Sequence, residues 1–230
     1  MFRNRSFLHH IDVFAKRIIE RELLDHVAPE EARLNLADLV RINRFFGGHA
    51  TIRKLLAMAV RSNEKFTLLD VGAASGDTAR MVSQLYPNAR VTSLDYSLVN
   101  LGAAPGPKLI ADAFALPFEG GSFDYVMSSL FLHHFTDLQV VSLLKSFHEV
   151  ARRGVLIADL ERHVLPYLFL SVSGPLFGWG RITVHDGRIS VRAAFRKREL
   201  GELAELAGMA NAQLKVHRPA FRLTLSSLKR

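Results

Sequence analysis

FTLLDVGAASGDTARM, residues 66–81, decides the fold: an apolar run ends in an acid, crosses a loop holding two glycines and opens a helix. Phe66, Leu68, Leu69 and Val71 suit a strand buried on both faces. Gly72 and Gly76 allow a tight turn, and Asp77-Thr78 supply a helix start. A strand, turn and helix in this order hold a nucleotide-like ligand at the turn.

Downstream, strands alternate with helices, the pattern of a parallel sheet covered on both faces. A helix over Asp77–Leu85 stops at Tyr86-Pro87-Asn88, and Ala89–Leu94 is a second strand ending at Asp95. The next helix is short, broken by Gly102-Ala103-Ala104-Pro105-Gly106-Pro107. Lys108–Ala111 is a brief third strand and Phe123–Ser128 a fourth, entered through Glu119-Gly120-Gly121-Ser122. Thr136–Val150 has helical spacing, and Val155–Asp159 is the fifth strand. After a helix from Lys197 to Gly208, Ala212–Val216 and Phe221–Leu225 close the chain as an antiparallel hairpin around Arg218-Pro219. The expected class is α/β, a Rossmann-like sheet of seven strands, mostly parallel.

Upstream, residues 8–61 read as two or three helices. Ile11, Phe14, Ile18 and Ile19 keep a helical stripe, Ala28-Pro29-Glu30-Glu31 is a fresh start with proline in its first turn, and a last helix runs from about Ala50 to Val60. Val164–Trp179, VLPYLFLSVSGPLFGW, is the most apolar stretch. Pro166, Gly174 and Pro175 interrupt it, and it falls short of the roughly twenty apolar residues that span a bilayer. It reads either as a buried helix pair capping the sheet or as an apolar lid over a pocket. Polar turns are expected at His185-Asp186-Gly187. No linker composition divides the chain, so 1–230 is expected as one domain, with a helical cap over 1–61 and a core over 62–230 carrying an insertion at 164–180.

The chain has 230 residues, enough to bury about seventy per cent of its unfolded surface. It has no cysteine, which removes disulfides, thiolate metal sites and a cysteine nucleophile together. The N-terminus, MFRNRSFLHHIDVF, is basic and interrupted by His9, His10 and Asp12, unlike a secretory signal, and acids at Asp12, Glu20 and Glu22 argue against an organelle transit peptide. A cytoplasmic location is expected. The net charge of +8 permits an anionic partner. Its cations are scattered at Arg3, Arg5, Arg152-Arg153, Arg196-Lys197-Arg198 and Lys229-Arg230, with no interleaved aromatics to stack bases, so nucleic acid is not the expected partner.

The loop itself discriminates between cofactors. A dinucleotide site shows G-x-G-x-x-G with the pyrophosphate on the following helix. Here Ala74 and Asp77 stand at the second and third glycine positions, and Asp77 puts a carboxylate where phosphates belong. A cationic cofactor reverses that requirement: Asp70 and Asp77 then attract it, while Gly72 and Gly76 let the backbone approach.

Asp70-Val71-Gly72-Ala73-Ala74-Ser75-Gly76 resembles the acid-x-Gly-x-Gly-x-Gly loop of class I S-adenosylmethionine-dependent methyltransferases, with Ala74 in place of the middle glycine. The resemblance covers most of residues 50–230. It implies that Asp95 hydrogen-bonds the ribose, with Tyr96 and Ser97 bordering the adenine. Asp112, in Ala111-Asp112-Ala113-Phe114, inherits the contact to the adenine amino group, and Ala113 the backbone contact to the ring. Ser128, at the end of strand four, joins this cofactor wall, and Leu130-Phe131-Leu132-His133-His134-Phe135 resembles the family's exit from that strand. S-adenosyl-L-homocysteine is the implied product, and no metal is expected, because no cluster of acids suited to a divalent ion is visible.

Methyl transfer to carbon, oxygen or nitrogen is an in-line displacement that mainly needs alignment in a dry pocket. A phenol or enol acceptor gains from a base, and histidine is poised for that at neutral pH. His133 and His134, just past strand four, are the leading candidates; His163 and His185 are weaker ones. Ser128-Ser129-Leu130-Phe131 lacks the acid or Asn, Pro-Pro and aromatic pattern that the resemblance associates with nucleobase and amide nitrogens. Arg41, Arg44, Phe45, Phe131, His163, Tyr167, Trp179 and His185 are expected around a small apolar acceptor, methylated at a phenolic, polyketide-derived or quinone-like oxygen, with carbon second. The Arg41-Ile42-Asn43-Arg44 and 185–192 segments also resemble bacterial small-molecule methyltransferases of secondary metabolism. An RNA methyltransferase and a catalytically silent module are the rivals. A homodimer is compatible with everything above.

Overall fold

The computed structural model describes residues 14–229, with side chains throughout except at Asp25 and His26. Before the sheet come a 3₁₀ turn (Leu23–His26) and helices α1 (Pro29–Phe45) and α2 (Gly48–Ala59). The core then runs β1 (Phe66–Val71), α3 (Asp77–Leu85), β2 (Ala89–Asp95), α4 (Leu98–Leu101), β3 (Lys108–Ile110), β4 (Phe123–Ser129), a 3₁₀ turn (Leu132–His134), α5 (Asp137–Val150) and β5 (Ala151–Leu160). It ends with α6 (Val164–Phe177), α7 (Arg181–Ala193), α8 (Lys197–Leu206), β6 (Gln213–His217) and β7 (Arg222–Leu228).

The seven strands form one sheet in the order β3-β2-β1-β4-β5-β7-β6, parallel as far as β5 and antiparallel at β7 and β6. Apolar β1 is buried in the middle. One face packs on α5 and α8 through Leu143, Leu144, Phe147, Leu200 and Leu203. The other packs on α2 and α3 through Ile52, Leu55, Leu56, Ala79 and Val82. Strand order reverses between β1 and β4, and ligands of open α/β sheets bind outside the carboxyl ends of the strands at such a point. Register brings the chemistry there: Val71 lies beside Leu94 and Ser128, Ser129 beside Ala158, and Leu160 beside Arg222.

Three expectations need correction. The N-terminal helical stripe begins outside the described residues, and residues 14–22 are a turn followed by irregular chain. The 164–179 stretch is one helix with Pro175 in its last turn, and most of its large side chains are exposed, which overturns the reading as a buried helix pair and leaves that of an apolar lid. Where polar turns are expected at 185–187, α7 runs uninterrupted. Its turn-like Asp186 faces inward and accepts the Leu23 and Leu24 amides, and a Cβ on Gly187 would lie 3.0 Å from Leu170 Cδ1, so the residues that mimic a turn serve close packing. No helix of the described residues is long and apolar enough to cross a membrane.

Candidate active site

The loop after β1 turns through left-handed backbone at Gly72 (φ 71°), Ala74 (φ 45°) and Gly76 (φ 70°). The Gly72 and Ala73 amides both donate to the Leu94 carbonyl, tying the loop to β2. A Cβ on Gly72 would sit 2.4 Å from the Phe131 ring, so a side chain there would close the crevice. Asp95 accepts the Ala74 amide at 2.8 Å on one oxygen and the Ser97 amide at 2.9 Å on the other, leaving each oxygen with further acceptor capacity. Asp112 accepts the Phe114 amide, Ala113 is buried, Ser75 is half-buried in the loop, and Phe114 and Tyr96 are exposed.

Asp70 is buried and one of its oxygens has no partner; the Ser128 hydroxyl is likewise buried and unpaired. Burial first, then the Asp95 and Asp77 charges, push the Asp70 carboxyl up to about 7. The unpaired oxygen and the glycine cradle fit a cationic, nucleoside-like cofactor and are hostile to a pyrophosphate. Asp77 is not free in this site: His49, at the start of α2, meets it at 2.7 Å.

Past β4, the 3₁₀ turn carries both predicted histidines. His133 is 3% exposed, and its Nδ1 lies 2.6 Å from Asp159. Asp159 also accepts the backbone amides of His133 and Leu160. Burial opposes charge on His133, but the Asp159 carboxylate outweighs it and the imidazole shifts upward; Asp159 in turn is held below the usual carboxylate range. His134 stacks on His133 at 4.3 Å between centroids, and burial followed by the His133 charge pushes it down to about 3, although a third of its side chain stays open. One ligand atom from each of Glu22, His133 and His134 lie within 4.8 Å of one another, close enough to share a cation. Glu22, however, already accepts the Ser190 hydroxyl.

Both histidines face a cavity of about 840 Å³ enclosed by α1, α2, α6, α7 and the β6–β7 turn. Its wall includes Leu39, Ile42, Phe46, Leu130, Phe169 and Trp179. The strand order, the crevice and the apolar chamber beside it together point to one family, and residues 69–158 match its methyltransferase domain model. Over those residues the chain is similar to a methyltransferase domain.

Malonyl-[acyl-carrier protein] O-methyltransferase 1 of Coxiella burnetii is 29% identical to the chain over 133 residues, 50% of this chain and 46% of that one. A demethylmenaquinone methyltransferase of Staphylococcus aureus is 32% identical over 152 residues, 58% and 61% respectively. The chain thus spans about half the length of the curated relatives it matches. In fold, an S-adenosylmethionine-dependent methyltransferase from Aquifex aeolicus superposes at a TM-score of 0.62 with 15% identity, covering 88% of this chain and 98% of that one.

The expected pocket residues divide. Phe45 and Trp179 line the cavity. Phe131 packs on Phe135 at the glycine loop instead, at the boundary between crevice and cavity. Arg41 is exposed and holds Asp38 and the Phe177 carbonyl, and Arg44 lies over the outer face of Phe45. His163 caps α6 and lies against Phe221, the Tyr167 hydroxyl takes Arg188, and His185 pairs with Asp186. These five stand outside the wall, Arg41 and Arg44 on α1 and His163, Tyr167 and His185 at the start of α6, on α6 and on α7, each engaged by the neighbour just named. Sequence reading missed Asp159, Glu22, His49, Asn43 and Arg222. The one available signal was Asp159 at the end of an apolar strand; nothing local couples it to a histidine 26 residues earlier.

Proposed function

We propose that the protein transfers the methyl group of S-adenosylmethionine to a small, largely apolar acceptor at a phenolic, polyketide-derived or quinone-like oxygen, with carbon methylation as the second outcome. The observation that carries this reading is the 130–134 segment, which borders both compartments: Phe131 lies on Gly72, while Leu130, His133 and His134 line the apolar cavity. When bound, S-adenosylmethionine supplies a methyl group on a positively charged sulfur. Asp95 and Asp112 hold the nucleoside, Ala73–Gly76 and Ser128 border the methionine portion, and Asp70 with Asp77 favours its positive charge. Tyr96, Ser97, Ala113 and Phe114 frame the base.

His133 is the base. With Nδ1 committed to Asp159, Nε2 is the ring nitrogen left to take a proton from an acceptor hydroxyl, and Asp159 stabilises the imidazolium that results. His134, held neutral, keeps charge from accumulating next to it. The apolar wall excludes water and strengthens these contacts. The cap and the α/β core act as one domain in this reading, and a cytoplasmic location accords with the cysteine-free composition. The name of the Coxiella relative specifies an oxygen acceptor on a protein-carried malonyl group and that of the Staphylococcus relative specifies demethylmenaquinone; the first supports oxygen methylation and only the second supports a small apolar acceptor.

Calorimetry with S-adenosylhomocysteine and with NAD tests the cofactor: binding of the first is expected, and binding of NAD alone refutes the reading. Labelled methyl uptake from a panel of phenols, quinones and RNA tests the acceptor. His133→Ala is expected to lower turnover by about 100-fold or more with little change in cofactor affinity.

A further inference from the structure

Helix α6 is built the reverse of an ordinary surface helix. Its two buried residues are Ser173 and Gly174, whereas Leu165, Leu168, Val172 and Leu176 fall on one stripe and are exposed, Val172 by 77% and Leu176 by 81%. Its small residues let α7 approach: a Cβ on Gly174 would come within 2.8 Å of Val184 Cγ2. The helix itself carries no charged residue. Exposed apolar residues are ordinary when scattered, but a continuous stripe marks a surface that meets something other than water.

The segment that carries the stripe is rich in cations. From His163 to Arg198 the chain has six Lys and Arg residues and one acid, Asp186, which is buried. Arg41 reaches across to the Phe177 carbonyl at 3.1 Å, and Arg188 lies over the Tyr167 ring at 4.6 Å. A two-fold copy of the chain would bring the like charges of Arg181 and Arg188 on α7 toward each other, whereas an anionic lipid surface complements them. The face also continues into the cavity, since Leu165, Pro166, Phe169 and Leu170 of the same helix line its wall.

We propose that α6 docks on an anionic membrane surface, lying in the headgroup plane with Leu168, Val172 and Leu176 inserted, and that a lipid-dissolved acceptor reaches the cavity along this helix. Docking rests on the face alone; passage of the acceptor rests also on the methyl-transfer reading. The helix lies on the bilayer and does not span it.

Sedimentation of the full chain with phosphatidylcholine vesicles containing about a third phosphatidylglycerol tests the docking. Binding is expected on these vesicles and about tenfold weaker on phosphatidylcholine alone. The double variant Val172→Ser, Leu176→Ser should lose about tenfold or more in vesicle affinity, with its thermal melt and S-adenosylhomocysteine affinity unchanged. Absence of vesicle binding at low salt, or equal binding by the double variant, overturns the proposal. So does a dimer in sedimentation velocity that the same substitutions dissociate, which would give the face to a second copy. Vesicle binding without S-adenosylhomocysteine binding would sink the methyl-transfer reading and leave docking standing; the converse result would do the opposite.

Discussion

At the end of β1 the Asp70 carboxyl, pushed up to about 7, sits where a cation has most to gain. Its ordinary value is 3.8, so between about pH 4 and 7 the unfolded chain loses a proton that the cofactor-free fold retains, and stability falls as pH rises across that window. A bound cation favours the ionised form. S-adenosylmethionine binding is therefore expected to release protons near neutrality and to tighten from about pH 6 to 8, measurable by calorimetry in buffers of different ionisation enthalpy. Asp70→Asn should melt higher than the parent at pH 8 without cofactor yet bind it about tenfold or more weakly. A pH-independent affinity would remove Asp70 from the cofactor's electrostatics. The second residue-scale expectation concerns Asp159. Because its carboxylate raises His133, the neutral base form is reached at higher pH than for an ordinary histidine, and turnover should rise with pH through that transition. Asp159→Asn should cut turnover by about 100-fold or more and move that rise to lower pH. A loss of turnover with an unmoved pH profile would make Asp159 merely structural. The carboxylates at 70, 77, 95 and 112 were legible in the sequence because each sits at a strand end or in the loop. The Asp159 partner was not, because a hydrogen bond from the turn after one strand to the end of another leaves no local pattern.

At the scale of elements, the alternating core was read closely: β1, β2, α3, α5 and the closing hairpin fall within a few residues of their expected bounds. Buried strands and capped helices advertise themselves, as in the Thr136 and Gln139 capping box of α5. The segment from 164 to 193 was misread for the opposite reason. Apolar α6 does not bury its large residues, and the buried face of α7 mixes Thr183, Asp186 and Ser190 with Ile189, Val191 and Ala193, so neither shows a wholly apolar buried face. What joins the two helices is close approach at Gly174. Gly174→Val is expected to overpack that contact, costing about 1–3 kcal/mol, or about 3–10 °C in Tm. Acceptor affinity should weaken while S-adenosylhomocysteine affinity holds, because α6 forms the cavity wall whereas the glycine loop is held by Leu94 and Phe131. A melt unchanged in this variant would mean that α6 moves freely against α7.

Across the whole molecule, the sequence by itself determined the sheet, its order of strands and helices, and the acidic glycine loop. These depend on period, glycine placement and strand-end charge, which are local properties of the chain. Tertiary structure alone decided the acceptor side. It set Asp159 behind His133 through the β4–β5 register, and formed the cavity by folding α1, α2, α6, α7 and the β6–β7 turn over one edge. It also turned Arg41, Arg44, His163, Tyr167 and His185 away from that cavity and the large side chains of α6 toward solvent. Which face of a helix is buried depends on what packs against it. In α6 the small residues won that place because only they admit α7, a preference no period within the helix records.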